Sequence, residues 1–124
     1  MSAQKLVSIV DDDPSVRTAT EGLVRSLGLS AYTFPSAEAF LASPLIDVTA
    51  CLITDVQMPG MSGLELQAQL ADQGHDIPVI FITAFPEERL RRQAEAGGAI
   101  GFLAKPFVGS TMIHCLETAL GSLN

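Results

Sequence analysis

The sequence predicts an α/β fold in which a five-stranded parallel sheet carries helices on both faces. Short apolar runs alternate with segments of helical spacing along the 124 residues, a pattern typical of strands alternating with helices. The predicted strands are almost continuously apolar, as expected of strands that are buried on both faces of a parallel sheet. Because crossovers between parallel strands are right-handed, we expect a doubly wound sheet with the flavodoxin-like strand order 2-1-3-4-5.

The five strands are placed on the apolar runs. They are expected at residues 6–10, 31–34, 50–55, 78–82 and 100–103. Each run has the ordinary length of a strand and is followed by turn residues or by a polar residue.

The helices are placed after the strands, at residues 14–27, 37–41, 64–71, 87–96 and 109–120. Capping residues mark three of their N-termini. Asp13 suits the N-cap of the first helix and Pro14 its first turn. Ser36 caps the second helix, and Ser62 with Glu65 three residues later forms a capping box for the third.

Breaker residues mark the ends of the first two helices. Gly28 is expected to stop the first helix, and Pro44 to stop the second. The helical spacing of the last segment predicts that it buries Ile113, Leu116 and Leu120.

The composition indicates one globular domain over residues 1–124. Apolar residues make up 48% and charged residues 17%, which excludes a disordered chain. The net charge of −7 argues against direct binding of nucleic acid or of an anionic membrane by this domain.

No apolar run approaches the roughly 20 residues that span a bilayer, and no signal-peptide pattern is present. Cys51 and Cys115 show no C-x-x-C spacing, so we expect reduced core thiols in a cytoplasmic protein.

Polar side chains follow four of the predicted strands at the point where each strand ends. They are Asp11 and Asp12 after strand 1, Asp55 at the end of strand 3, Thr83 at the end of strand 4 and Lys105 after strand 5. The carboxyl ends of parallel strands share one edge of the sheet, so these groups are expected to converge beside the topological switch point.

This convergence predicts phosphoryl-transfer chemistry. Three neighbouring carboxylates repel one another and require cations or protons. Lys105 offers one positive charge, and Mg²⁺ fits best for the rest because it takes few protein carboxylates and keeps a position for a phosphate oxygen. A carboxylate beside Mg²⁺, here Asp55, can attack a phosphoryl group and become an aspartyl phosphate. Thr83 is placed to hydrogen-bond a phosphoryl oxygen.

Four motifs together resemble the receiver domain of two-component response regulators, which has a CheY-like fold. They are Ile-Val-Asp-Asp at 9–12, Thr-Asp-Val-Gln-Met-Pro-Gly-Met-Ser-Gly at 54–63, Ile-Thr-Ala at 82–84 and Lys-Pro-Phe at 105–107. The stretch Ser-Ala-Glu-Ala-Phe-Leu at 36–41 further resembles the FixJ-like (FixJ/NarL-type) branch. Members of that branch usually join the receiver to a helix-turn-helix DNA-binding domain.

The resemblance implies a role for each residue of the acidic site. Asp55 is the phosphoacceptor, which receives its phosphoryl group from a sensor histidine kinase. Asp11 and Asp12 hold Mg²⁺ together with Asp55 and the carbonyl of Gln57. Lys105 contacts the phosphoryl group, and its peptide bond to Pro106 is cis.

The resemblance also implies how a phosphoryl signal is read. Thr83 is the switch hydroxyl and Phe102 the switch aromatic, and together they reshape the face formed by helix 4 and strand 5. Phosphorylation is then expected to promote a homodimer through that face. Gln57 and Phe85 occupy positions that tune dephosphorylation. Phe102 stands where several members carry Tyr, so any contact made by that hydroxyl is absent.

Two alternatives stay open beside the phosphorylated switch. One is a protein-interaction module of the same fold that is never phosphorylated, which the intact set of polar residues disfavours. The other is a flavodoxin-like redox module that binds FMN. The run of acids from Asp11 to Asp13 disfavours it, because a flavin phosphate requires hydrogen-bond donors at that loop. In the leading interpretation the domain is a switch with self-catalysed phosphotransfer, not a metabolic enzyme.

Overall fold

A computed structural model describes residues 5–121. The strands are β1 (Leu6–Val10), β2 (Ser30–Phe34), β3 (Thr49–Asp55), β4 (Val79–Thr83) and β5 (Gly101–Ala104). The helices are α1 (Pro14–Ser26), α2 (Ala37–Leu41), α3 (Gly63–Asp72), α4 (Glu88–Ala96) and α5 (Gly109–Leu120). The predicted domain limits, residues 1 and 124, lie outside the described part of the chain.

The five strands form one parallel sheet in the order β2-β1-β3-β4-β5, which confirms the predicted fold class. The register aligns the carboxyl ends of the central strands. Val10 is paired with Thr54, Asp55 with Ile82, and Thr83 with Ala104. The last residues of β1, β3 and β4 therefore lie side by side at one edge of the sheet.

Two hydrophobic cores cover the two faces of the sheet. On one face, Ile53 of β3 packs with residues of α1 and α5 such as Val24 and Leu116. On the other face, the adjacent Leu52 belongs to a cluster that includes Leu66 of α3. Because both faces of each central strand are buried, the sequence shows continuous apolar runs instead of alternation.

The predicted helix caps are all present. Asp13 accepts a hydrogen bond from the N–H of Ser15 at the start of α1, and Ser36 accepts one from Ala39 at the start of α2. Ser62 and Glu65 form the reciprocal capping box of α3.

Two local predictions need correction. Pro44 does end α2, but it also begins a 3₁₀ helix, Pro44–Val48, that precedes β3. In α5, Leu116 and Leu120 are buried as predicted, whereas Ile113 is only partly buried and Met112 is fully buried in its place. Residues 112, 116 and 120 lie one above another at i, i+4 spacing, so the helix turns this row toward the sheet.

Cys51 and Cys115 are free and buried, as expected for core thiols. Burial is the main reason that the pKa of the Cys51 thiol is raised to about 12, so this thiol stays protonated at neutral pH. None of the helices between residues 5 and 121 has the length and the apolar character needed to cross a membrane.

Candidate functional site

The carboxyl edge of the sheet brings together Asp11, Asp12, Asp55 and Lys105, as the sequence predicts. Asp11 follows β1 directly, and its N–H donates to the carbonyl of Phe34 at 3.2 Å. Asp55 is the last residue of β3. The N–H of Lys105 donates to the carbonyl of Thr83 at 2.8 Å, which extends the pairing of β4 and β5 and directs Lys105 into the site.

Three carboxylates are clustered around one lysine. Asp11 is fully buried, Asp55 is 5% exposed, and Asp12 is exposed. One carboxylate oxygen from each of the three lies within 4.8 Å of the others. Lys105 Nζ is 2.9 Å from Asp55 Oδ2 and 2.9 Å from Asp11 Oδ2. The ammonium group thus bridges the two buried acids, and Asp12 stands at the open side.

Hydrogen bonds from nearby N–H groups orient the buried carboxylates. Asp55 Oδ1 accepts from the main-chain N–H of Gln57 at 3.2 Å, and Asp11 Oδ1 accepts from that of Asp13 at 2.9 Å. The guanidinium of Arg17 donates to the main-chain carbonyl of Asp11 at 2.7 Å. Each acid is therefore fixed by its own loop as well as by Lys105.

Burial and charge set the protonation of the site. Burial is the largest cause that raises the pKa of Asp55, and the charge of Asp11 adds to it, while the hydrogen bond from Lys105 opposes both. Burial by itself lowers the pKa of Lys105. The hydrogen bonds to Asp55 and Asp11 and the charges of these acids outweigh burial, and the pKa is raised. Lys105 consequently stays charged at neutral pH, yet one cation does not compensate three acids.

The donor set fits a hard divalent cation. Asp11 Oδ2 is fully buried, and among residues 5–121 its contact with a donor group is the ion pair with Lys105, which Asp55 shares. A buried carboxylate is costly unless its charge is compensated, and one ammonium group is divided between two buried acids. Together with the oxygens of Asp12 and Asp55, Asp11 Oδ2 offers the few hard oxygen ligands that Mg²⁺ takes from proteins.

Thr83 ends β4, the strand next to Asp55 of β3, and Phe102 lies on β5. Thr83 is fully buried, and its Oγ1 accepts from the N–H of Phe85 at 3.0 Å. Because the oxygen is the acceptor in this bond, the hydroxyl hydrogen can be donated to another group. Phe102 is partly buried on β5, with its ring centroid 6.4 Å from that of Phe81.

The two residues predicted to tune dephosphorylation have exposed side chains. Phe85 is 61% exposed, and Gln57 is also exposed. Gln57 reaches Asp55 through its main-chain N–H. Its carbonyl as a metal ligand, and the tuning role of both side chains, stay predictions.

Two contacts near the site were not predicted from the sequence. One is the bond from Arg17 to the carbonyl of Asp11. The other joins α2 to the loop after Asp55, because Glu38 Oε2 accepts from the main-chain N–H of Met61 at 3.0 Å. Both end on main-chain atoms, which carry no side-chain signal in the sequence. The spacing of 23 residues between Glu38 and Met61 also hides the second contact from any local pattern.

Comparisons with known proteins agree with this geometry. A family model for the response regulator receiver domain matches residues 7–117. Nodulation protein W of Bradyrhizobium diazoefficiens is 41% identical over 118 residues, which are 95% of this chain and 52% of that protein. Response regulator protein TmoT of Ectopseudomonas mendocina is 43% identical over 117 residues, 94% of this chain and 53% of TmoT. The crystal structure of FixJ-N has a TM-score of 0.83 at 36% identity and covers 96% of this chain and 94% of that one.

The chain spans about half the length of the curated relatives that it matches. The likeness to FixJ-N confirms the resemblance to the FixJ-like branch. The matched family model covers almost all of the described residues, including every acid of the site and Lys105. The chain belongs to the response regulator receiver domain family.

Proposed function

We propose that this domain is a phosphorylation switch in which Asp55 accepts a phosphoryl group from a phosphohistidine of a sensor histidine kinase. One observation carries the proposal: Lys105 Nζ lies 2.9 Å from the carboxylates of both Asp55 and Asp11. An acid that only ended a strand would need no such partner. A buried acid held against a fixed ammonium group is suited to receive an anionic group whose charge must be neutralised.

The transfer exchanges one bond to phosphorus for another. A carboxylate oxygen of Asp55 forms the O–P bond while the P–N bond to the histidine of the kinase breaks, and its electron pair returns to the imidazole. Lys105 moves from neutralising the carboxylate to neutralising the oxygens of the phosphoryl group. The N–H of Gln57 keeps Asp55 oriented for in-line attack.

Asp11, Asp12 and Asp55 are the residues that would hold Mg²⁺. When bound, the ion supplies positive charge that offsets the acids and the transferring oxygens. Asp12, the exposed member of the three, faces the side from which a phosphodonor arrives.

Phosphorylation would be read by Thr83 and passed to α4. A phosphoryl oxygen on Asp55 would accept a hydrogen bond from the Thr83 hydroxyl and draw it toward Asp55, away from the N–H of Phe85 that now donates to the hydroxyl oxygen. A shift of Thr83 allows Phe102 to move and changes the face formed by α4 and β5, a switch biased by phosphate contacts. We place the homodimer contact of the phosphorylated domain on this face. We further propose that the exposed side chains of Phe85 and Gln57 set how long phospho-Asp55 survives.

The output of the whole protein is proposed to be transcription control. The relative from Azorhizobium caulinodans is named transcriptional regulatory protein FixJ, and it is 38% identical over 115 residues. Regulation of genes would then be exerted by a DNA-binding domain outside residues 1–124. The domain itself would act in the cytoplasm as a self-catalysed phosphoacceptor and not as a metabolic enzyme.

The membership of the receiver family leaves no support for the FMN-binding alternative. An interaction module that is never phosphorylated stays the second candidate, since it shares the fold. The two are separated by whether Asp55 takes up phosphate.

Incubation with acetyl phosphate and Mg²⁺ tests the proposal. Intact-protein mass spectrometry should detect one added phosphoryl group in the parent and none in Asp55→Asn. Asp76→Asn, which changes an exposed acid far from the site, serves as the matched control and should be phosphorylated like the parent. Equal uptake by Asp55→Asn would disprove the assignment. No uptake by the parent, with either acetyl phosphate or a phosphorylated kinase, would favour the interaction module.

A further inference from the structure

The loop between β3 and α3, residues 56–62, follows the phosphoacceptor directly and carries Gln57. Main-chain bonds hold its two ends. The N–H of Val56 donates to Ile82 at 3.0 Å, and the N–H of Gly63 donates back to the carbonyl of Val56 at 2.8 Å. The capping box of Ser62 and Glu65 fixes the start of α3. Among the described residues, no bond between main-chain atoms holds residues 58–61, although Met58 and Met61 pack against the hydrophobic core.

Glu38, which lies in α2, hydrogen-bonds this loop near its C-terminal end. Its Oε2 accepts from the N–H of Met61 at 3.0 Å. Among the described residues, it is the one side chain outside the flanking elements β3 and α3 that hydrogen-bonds this loop. Bonds from the main-chain N–H groups of Glu38 itself and of Met61 lower the pKa of the Glu38 carboxyl, so the acceptor is a carboxylate at neutral pH. Charge-assisted bonds of this kind are stronger than neutral ones.

Gly60, in the same loop, lies close to the Glu38 carboxylate. Its φ is +78°, a left-handed conformation that glycine adopts without strain. A Cβ at this position would lie 2.6 Å from Glu38 Oε2, and the next nearest atoms also belong to the Glu38 side chain. The loop therefore passes close to the end of the Glu38 side chain in a conformation that favours glycine.

The helix that carries Glu38 is firmly held. Ser36 caps α2, and Ala37 and Phe40, which flank Glu38 in the helix, are fully buried. The ring of Phe40 packs edge-on against Phe34 at 5.3 Å between centroids. Because α2 is held in place, the Glu38 carboxylate has a defined position although it lies at the surface.

We propose that Glu38 is a positioning residue for the acidic site: it fixes the loop that presents the main chain of Gln57 beside Asp55. The inference rests on the proposed function of Asp55. Without the carboxylate, the loop between Met58 and Met61 gains freedom, and the N–H of Gln57 holds Asp55 less well. Loss of groups that orient metal ligands typically weakens metal binding by about tenfold or more.

The test compares Glu38→Ala with Glu38→Gln, which retains an acceptor oxygen. Calorimetric titration should show a Mg²⁺ Kd about tenfold higher in Glu38→Ala, and phosphorylation by acetyl phosphate should slow in the same variant. Glu38→Gln should restore most of both. Glu117→Ala, which removes an exposed acid on α5, is the matched control and should leave both unchanged.

Amide hydrogen exchange at Gln57 and Met61, measured by NMR without any phosphodonor, tests the anchor separately from phosphorylation. Faster exchange at these two amides in Glu38→Ala, reversed in Glu38→Gln, supports the proposal even if the parent takes up no phosphate. A lower Tm in Glu38→Ala with unchanged Mg²⁺ affinity, phosphorylation rate and loop exchange would overturn it, because Glu38 would then contribute to stability alone.

Discussion

At the scale of single residues, Asp55 lies in surroundings that oppose its ionisation. It is 5% exposed, and burial together with the charge of Asp11 raises its pKa in spite of Lys105. The folded protein consequently binds a proton at Asp55 more tightly than the unfolded chain does. Stability from this group falls as the pH rises from 3.8, the ordinary value, through the raised pKa, and is constant above it. The buried carboxylate of Asp55 thus lowers the stability of the fold at neutral pH.

Asp55→Asn should therefore be more stable than the parent at neutral pH without Mg²⁺. The isosteric amide removes the buried charge, and Lys105 keeps Asp11 as its partner. Urea unfolding across pH gives the measurement: the advantage should shrink as the pH falls and vanish below 3.8. A less stable Asp55→Asn at neutral pH, or a difference independent of pH, would contradict this account. Asp76→Asn, at an exposed position, should show no such trend.

At the scale of elements, α4 is held more firmly at its C-terminal end than at its N-terminal end. Its buried side chains are Leu90 and Ala94. Near the C-terminal end of the helix, Gln67 Nε2 of α3 donates to the carbonyl of Ala94 at 3.2 Å. At the N-terminal end, the N-cap residue Glu87 makes no side-chain hydrogen bond to the helix. The end beside Thr83 is the less restrained one, and elements with few buried contacts rearrange at low cost.

A change at Thr83 should thus alter the α4–β5 face enough to dimerise the domain. Treatment with beryllofluoride, which mimics the phosphoryl group, should shift the parent from monomer toward dimer in sedimentation experiments. Asp55→Asn under the same conditions is the control and should stay monomeric. A treated parent that sediments as a monomer at high concentration would refute this surface as the dimer contact.

At the scale of the whole molecule, the folded and unfolded chains carry the same formal net charge of −7, but only folding brings the three acids of the site together. We therefore expect the folded state to bind divalent cations more tightly than the unfolded chain. Binding to the folded state alone stabilises it by mass action. Asp12 and Asp13 are adjacent acids with different tasks. Asp12 belongs to the cluster, whereas Asp13 caps α1.

Mg²⁺ should raise the Tm of the parent, with a gain of about 2.7 kcal/mol at a concentration 100 times the Kd. Asp12→Ala should lose most of that gain. Asp13→Ala should start about 1 kcal/mol less stable, because a helix cap is removed, but it should keep the gain from Mg²⁺. Equal losses of the Mg²⁺ effect in both variants, seen by thermal unfolding, would show that the two acids do not divide these roles.

Sequence reasoning succeeded where the signal is local or topological. Helix starts could be predicted from the capping side chains of Asp13, Ser36 and Ser62. Asp55 could be predicted to lie near Asp11 and Lys105, because the ends of parallel strands share one edge of the sheet. Sequence reasoning failed where tertiary packing decides. The rotation that buries Met112 instead of Ile113 depends on how α5 meets the sheet. The bond from Glu38 to Met61 depends on where α2 lies relative to a distant loop.

Lys105 is synthesised 50 residues after Asp55, and it reaches the site only when β5 pairs with β4. A chain still emerging from the ribosome already contains Asp11, Asp12 and Asp55 but lacks the ammonium group that neutralises them. Domains generally fold as units during synthesis. Here the site is complete only once Lys105, which follows the last strand β5, has been made. Unfinished chains, and fragments cut before Lys105, therefore carry the acids without the ammonium group that contacts them. We expect the proposed ability to accept a phosphoryl group to arise only together with a complete sheet.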